Sequence, residues 1–222
     1  MLTPLYIKNG LHIYALFGAM MLYTNNLFLT TIFSLKAFSA NYWYHFYDLY
    51  DYNIPVKYNQ IKQIVRFTDT GHIASFLYYF YPKFFPIAFN VHFAITFSYW
   101  ITVKCFDMKD TDIDNDDRII MSIQNATITL VHGVPLLLLV FEYILYKPCQ
   151  DCFSQNDLYY SYAWLYGWFC LIYLPWRYIT GDTVYSILSR DTPLKIVASA
   201  VTLMHVLFFT GNCIGYYMCK LL

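Results

Sequence analysis

Uncharged, apolar stretches separated by polar turns dominate the chain, and they cover residues 11–35, 64–81, 84–103, 119–141, 158–176 and 196–218. A helix rises about 1.5 Å per residue, so roughly twenty apolar residues suffice to cross the hydrocarbon layer of a bilayer. The pattern predicts an all-α, polytopic membrane helix bundle with about six transmembrane helices, forming a single integral membrane domain over residues 1–222. The second run is the weakest, because Arg66 and Asp69 stand in its first turns and its uncharged part is confined to residues 70–82. An even number of spans places both termini on one side.

The connections carry their own signals. Residues 41–47, between the first two runs, are dense in Tyr, Trp and Phe and are expected to lie along the membrane interface. The turn over residues 81–86 is short. The loop after the third run holds Asp107, Asp110, Asp112, Asp114, Asp116 and Asp117, but it lacks the central glycine and closing glutamate of a calcium loop and reads as a solvated acidic segment. Lys8, Lys83, Lys147 and Lys220 fall on the side of the termini and the other ten of the 14 Lys and Arg on the opposite side. By the positive-inside rule the termini then face away from the cytosol.

Composition narrows the class. With 222 residues, 59% hydrophobic, 22% aromatic and 13% charged, the chain is too apolar for a soluble domain. Its formal net charge of zero leaves no basic stripe, so nucleic acid is not an expected partner. Of the six cysteines, Cys149 and Cys152 form the one close pair, which reads as a small disulfide loop or half of a metal site. Without a second Cys/His pair nearby, zinc is not expected, and nothing in the pattern calls for a cofactor. The first run lacks a small-residue cleavage site and is expected to remain as an anchor. Gly211 and Gly215 in the last run permit close helix approach, which leaves a homo-oligomer open.

The candidate chemistry begins at His132, an ionisable side chain inside the run 119–141. Such a group at membrane depth faces the bundle interior or a wet cavity and marks a functional path, or else its neutral imidazole serves as packing glue. Pro135, three residues on, removes a backbone donor and frees a carbonyl nearby. The second and fourth runs point the same way across the bilayer. Thr68 lies about six residues beyond Lys62, roughly 9 Å along a helix, and His132 about seven residues beyond Asn125, roughly 10 Å. Their depths match. The fifth run ends on that side and brings Arg177 and Thr180 to the rim. A hydroxyl, an imidazole and a cation are the parts of an acyl-transfer site: nucleophile, general base and holder of negative charge. Two readings of Thr68 stay open, since membrane-helix threonines commonly bond back to their own helix. His72, four residues after Thr68 on the same face, is a rival base. His205 reads as structural, Glu142 as a cap or pairing group at the opposite surface, and Asp69 as one step removed from the chemistry.

These residues in this order resemble a family. Arg66-Phe67-Thr68 at the opening of the second run, His132 followed ten residues later by Glu142, and Tyr178-Ile179-Thr180-Gly181 with Tyr185 after the fifth run are similar to the androgen-induced protein family. Its members are multi-span membrane threonine hydrolases that cleave fatty acid esters of hydroxy fatty acids. The resemblance covers roughly residues 10–218, and it implies Thr68 as nucleophile, His132 as its partner and residence in an endomembrane, the endoplasmic reticulum first. The chain departs from the family in a shorter link between the second and third runs, in Arg177-Tyr178 before the Thr-Gly pair where histidines are usual, and in its acidic loop.

The expectation is therefore an integral membrane lipid hydrolase acting through Thr68 and His132 on a lipid ester, with membrane lipids as surroundings and Arg177 and Thr180 binding substrate. The alternatives are a small carrier in which His132 and His72 relay protons, and a structural subunit without chemistry.

Overall fold

The computed structural model describes residues 65–105, 118–146 and 153–221. The expected first span, the aromatic segment 41–47, the acidic loop and the Cys149/Cys152 pair lie outside the described residues. Among the described residues every regular element is helical: α1 (Phe67–Phe80), α2 (Phe85–Tyr99), α3 (Arg118–Tyr146), α4 (Gln155–Trp168), α5 (Leu174–Thr180) and α6 (Leu194–Leu221). A 3₁₀ turn, Pro82–Phe84, joins α1 to α2, π-helical turns Trp100–Cys105 and Phe169–Tyr173 follow α2 and α4, and a second 3₁₀ turn, Ser186–Leu188, precedes α6.

Each expected span within the described residues is occupied by a helix. The second is shorter than its apolar run: α1 has 14 residues, or ~21 Å at ~1.5 Å per residue, because Arg66 precedes it and Tyr81-Pro82 ends it. Two stretches, Pro82–Val103 and Leu194–Leu221, are long and apolar enough to cross a membrane by length and composition, and His132–Leu145 is a shorter apolar stretch. The two long stretches differ in setting. The first is mostly buried within the protein, and the second is mostly exposed, with Val201, Val206, Phe209 and Ile214 on its open face.

The arrangement centres on α2, which packs against α1, α3, α4 and α6. Its sequence, FPIAFNVHFAITFSY, is apolar nearly all round, the pattern of a helix enclosed on every side. Phe85 stacks on Tyr143 at 5.3 Å and meets Phe153 edge-on at 6.0 Å, closing one end of the bundle. At the other end Phe67 meets Trp168 at 5.1 Å and Phe208 at 6.4 Å, edge-on in both cases. Aromatic contacts of this kind contribute ~0.5–1.5 kcal/mol each beyond burial.

Local signals set the ends of α4 and α5. Ser154 and Asp157 form a capping box, with Asp157 N–H donating to Ser154 Oγ and Ser154 N–H to Asp157 Oδ2, so two otherwise open donors are satisfied. Gly181, at φ 75°, terminates α5 and donates its N–H to the Arg177 carbonyl.

The Gly211 and Gly215 pair serves packing within the chain. A methyl group at Gly211 would stand 3.0 Å from Phe93 Cγ, and one at Gly215 would overlap the Phe153 ring. Gly215→Ala is therefore expected to destabilise the protein by about 1–3 kcal/mol through overpacking. Adding Phe153→Leu recovers part of that loss, as thermal unfolding of the single and double variants will show.

Candidate active site

Thr68 is the second residue of α1 and His132 lies in the middle of α3, and the two meet: Thr68 Oγ1 and His132 Nε2 are 3.3 Å apart. The contact follows from how α2 holds the helices on either side of it. The His132 ring stacks on Tyr99 with centroids 4.2 Å apart and planes within 14°. Its backbone carbonyl, one turn before Pro135, accepts a hydrogen bond from Thr96 Oγ1 at 2.5 Å. Pro135 lacks the N–H that would bond the Val131 carbonyl four residues back, and Thr96 of the neighbouring helix donates to the next carbonyl along, that of His132. His132 is thus fixed in plane and in height, with Nε2 turned to Thr68.

Thr68 stands in the first turn of α1, which has no side-chain cap from Arg66 and also carries Asp69, whose N–H donates to the Arg66 carbonyl at 3.1 Å. The Phe67 N–H donates to Tyr185 Oη at 2.8 Å. Two residues on, Thr70 behaves as helix threonines usually do: its Oγ1 donates to the Phe67 carbonyl at 2.7 Å and accepts Trp164 Nε1–H at 3.2 Å. Trp168 Nε1–H donates to the Val65 carbonyl at 2.7 Å and ties the end of α4 to the entry of α1.

A cavity of ≈ 310 Å³ opens at Thr68. Its walls are almost wholly apolar, with Ile95, Leu165, Phe169, Leu203 and Met204 among them, and its few hydroxyl-bearing residues include Thr68, Ser98, Thr102 and Tyr185. This size and lining suit an extended apolar ligand with one polar centre. Both π-helical turns contribute to the wall, through Thr102 and Phe169. π turns recur at functional sites because the extra residue re-aims side chains. On the α6 side the wall carries His205, whose Nδ1 faces the Val201 carbonyl at 2.7 Å. Since a carbonyl only accepts, Nδ1 bears the proton and Nε2 accepts from the Tyr166 hydroxyl, also at 2.7 Å.

His72 faces elsewhere. Its Nδ1 lies 3.7 Å from Asp69 Oδ1, and its ring is 5.8 Å from that of His92. His92, fully enclosed, bonds Ser75 Oγ through Nε2 at 2.8 Å and the Gly71 backbone. Asp69, His72, Ser75 and His92 make a buried polar cluster along the α1–α2 seam, adjoining the Thr68–His132 contact. Gly71 makes the seam close: a methyl group there would stand 2.6 Å from Ile95 Cδ1.

Arg177 and Thr180 are engaged within their own segment. Arg177 Nη1 donates to Tyr173 Oη at 3.1 Å and to the Leu188 carbonyl at 2.5 Å. Thr180 Oγ1 donates to the Trp176 carbonyl at 2.8 Å and accepts from Asp182 N–H at 3.2 Å. Neither lines the cavity. Of the residues that bring polar groups to it, Tyr166 escaped the sequence reading, which took His205 as structural and named Tyr185 only as part of the Thr-Gly motif; beside the site it passed over Tyr99, Thr96 and His92. His92 and Asn90 carried the same signal as His132, polar side chains inside an apolar run. Tyr185 stood in the Thr-Gly motif but gave no sign of its partner. Among the described residues no three His, Cys, Asp or Glu side chains converge as metal ligands. No family model, curated protein or solved structure matches this chain.

Tyr185, in the loop between α5 and α6, has its hydroxyl pushed up to about 12 by burial, with Arg66, the Phe67 N–H and Thr68 pulling the other way and Asp69 adding to the rise. Above pH ~10 the unfolded chain gives up this proton while the folded state keeps it, so stability falls as pH rises from about 10 to about 12. Tyr185→Phe removes this contribution. Thermal unfolding measured across that window will show a shallower decline in the variant than in the wild type.

Proposed function

We propose that the protein is an integral membrane hydrolase of lipid esters in which Thr68 is the nucleophile and His132 its general base. The observation that carries this reading is the Thr68–His132 contact, with Thr68 in the wall of an apolar cavity and His132 behind it, outside the lining. A threonine hydroxyl is a weak nucleophile at neutral pH, and a base within hydrogen-bond reach makes it competent. The imidazole takes the hydroxyl proton as Oγ1 attacks the ester carbonyl and returns it to the leaving alcohol, after which water cleaves the acyl-threonine by the same route. The amino end of α1 favours the negative charge that develops.

The six-span membrane arrangement belongs to the same proposal. Its support is the pair of helices long enough to cross a bilayer and the breadth of apolar surface that α3 and α6 leave open, with Leu137, Phe141, Ile144 and Leu145 exposed on α3. In a bilayer that surface meets lipid, and an acyl chain enters the cavity from the side. The resemblance to the androgen-induced family adds the substrate class, esters of fatty acids with hydroxy fatty acids, and an internal membrane such as the endoplasmic reticulum. Arg177 is reserved in this scheme for holding the loop that closes the cavity, through the Leu188 carbonyl, with Thr180 supporting the end of α5.

The test is labelling of the purified protein with a lipid-like fluorophosphonate, alongside turnover of a fatty acid ester of a hydroxy fatty acid. Wild type labels and turns over. Thr68→Ala does neither, and His132→Ala loses about 10²–10⁴-fold in rate, both variants keeping their elution volume and unfolding temperature. Labelling that persists in Thr68→Ala places the nucleophile elsewhere and ends this reading.

A further inference from the structure

Tyr185 is more elaborately placed than a helix cap requires. The backbone before it enters a conformation that β-branched residues rarely adopt: Val184 has φ 53°, and the Tyr185 N–H donates to the Thr183 carbonyl across this three-residue turn. A turn of this hand is strained, and such strain persists where the surroundings over-determine it, most often at functional sites. Here the surroundings are specific. Trp168 meets the Tyr185 ring at 6.2 Å, and Arg177 holds the Leu188 carbonyl at the end of the 3₁₀ turn that follows. The result is that the Tyr185 side chain lines the cavity together with Thr68.

The hydrogen-bond inventory of the hydroxyl is equally specific. Its oxygen accepts the Phe67 N–H at 2.8 Å, which consumes a lone pair and leaves the phenolic proton for another acceptor. The Thr68 side chain is a hydrogen-bonding neighbour, and Arg66 adds positive charge nearby. A phenol is protonated at neutral pH, and burial raises this one further, so the hydroxyl keeps its proton to donate.

We propose, resting on the hydrolase reading above, that Tyr185 is a catalytic residue whose hydroxyl donates to the ester carbonyl oxygen as that oxygen gains charge during attack by Thr68. Thr68 Oγ1 bonds to the carbonyl carbon, its proton passes to His132 Nε2, and the π pair moves to the carbonyl oxygen, which Tyr185 O–H binds. When that pair returns, the bond to the alcohol oxygen breaks and the leaving group takes the proton from His132. Water then repeats the sequence on the acyl-threonine and releases the free acid. Tyr185 keeps its proton throughout, and only ester and water are consumed. The Phe67 N–H, by polarising the phenol oxygen's surroundings, fixes where that donor points.

The experiment compares the ester with a thionoester analogue, in which sulfur, a poorer acceptor, replaces the carbonyl oxygen, in wild type and Tyr185→Phe. The expected result is a fall of about 10²-fold in kcat for the ester with little change in KM, and a collapse of the preference for ester over thionoester. Fluorotyrosines at position 185, which keep the ring and the acceptor of the Phe67 N–H, give a rate that follows the acidity of the phenol. That series decides the matter should Tyr185→Phe fail to fold. A folded Tyr185→Phe within a few-fold of wild type and with an unchanged ester preference, or a flat fluorotyrosine series, overturns the assignment and leaves the Thr68–His132 hydrolase standing. Absence of any Thr68-dependent turnover in wild type overturns both.

Discussion

Three polar side chains on one enclosed helix hold this structure in register. Asn90, His92 and Thr96 all lie on α2 and all are buried, and each finds its partners on different neighbours. Asn90 Nδ2 donates to Ser161 Oγ on α4 and to Asn212 Oδ1 on α6, at 3.0 Å in both cases. His92 bonds Ser75 of α1, and Thr96 bonds the His132 carbonyl of α3. An apolar surface slides at little cost, whereas a buried polar group left without its partner costs ~1–3 kcal/mol. The pairing therefore fixes the heights of the four outer helices relative to α2. The Thr68–His132 contact is a consequence: both residues are placed by helices whose positions α2 determines, and neither chooses the other directly.

This explains why part of the site was legible and part was not. Helix rise is uniform, so counting residues from the polar edge of each run brought Thr68 and His132 to similar depth before any packing was known. What counting cannot supply is the angle at which a side chain leaves its helix. Thr68 and Thr70 look alike in sequence, yet Thr70 bonds back to the Phe67 carbonyl while Thr68 turns outward to α3. His72 shares the face of Thr68 by periodicity, but the close seam at Gly71 draws it toward Asp69 and His92. The central role of α2 was hidden for a related reason. An apolar run gives no periodicity, so a helix enclosed on every side and a helix facing lipid read the same, and polar residues inside the run did not separate them, since the mostly exposed α6 carries His205 and Asn212 as α2 carries Asn90 and His92.

Arg177 shows the limit of reasoning from charge alone. A guanidinium at a span end suggests an anion site, but its five donors also satisfy carbonyls, and a loop of irregular backbone offers those first. Here the Leu188 carbonyl and the Tyr173 hydroxyl take the Nη1 group, so the cation stabilises the loop that shapes the cavity. Gly211 and Gly215 give a parallel case. Small residues spaced by four allow any close approach, and the large rings of Phe93 and Phe153 fill the space from within the chain.

In the reaction proposed above, the apolar packing around the cavity bears directly on the chemistry. An ester bound there as proposed would be surrounded by walls that solvate charge poorly, so the few polar groups facing it would carry most of that task. In water a single hydroxyl donor adds little to what solvent already provides. Against Ile95, Leu165, Phe169 and Met204 it replaces solvent, and its value rises accordingly. The strain at Val184 fits this arithmetic: a distortion of order 1–3 kcal/mol in one turn is tolerable where it positions a donor worth a comparable or larger amount in the transition state. A loop placed on the wet surface would relax to ordinary φ values at no loss. On this proposal, Val184, held in its rare conformation against Val65 beside the amino end of α1, is what links the architecture of the bundle, through Tyr185, to Thr68.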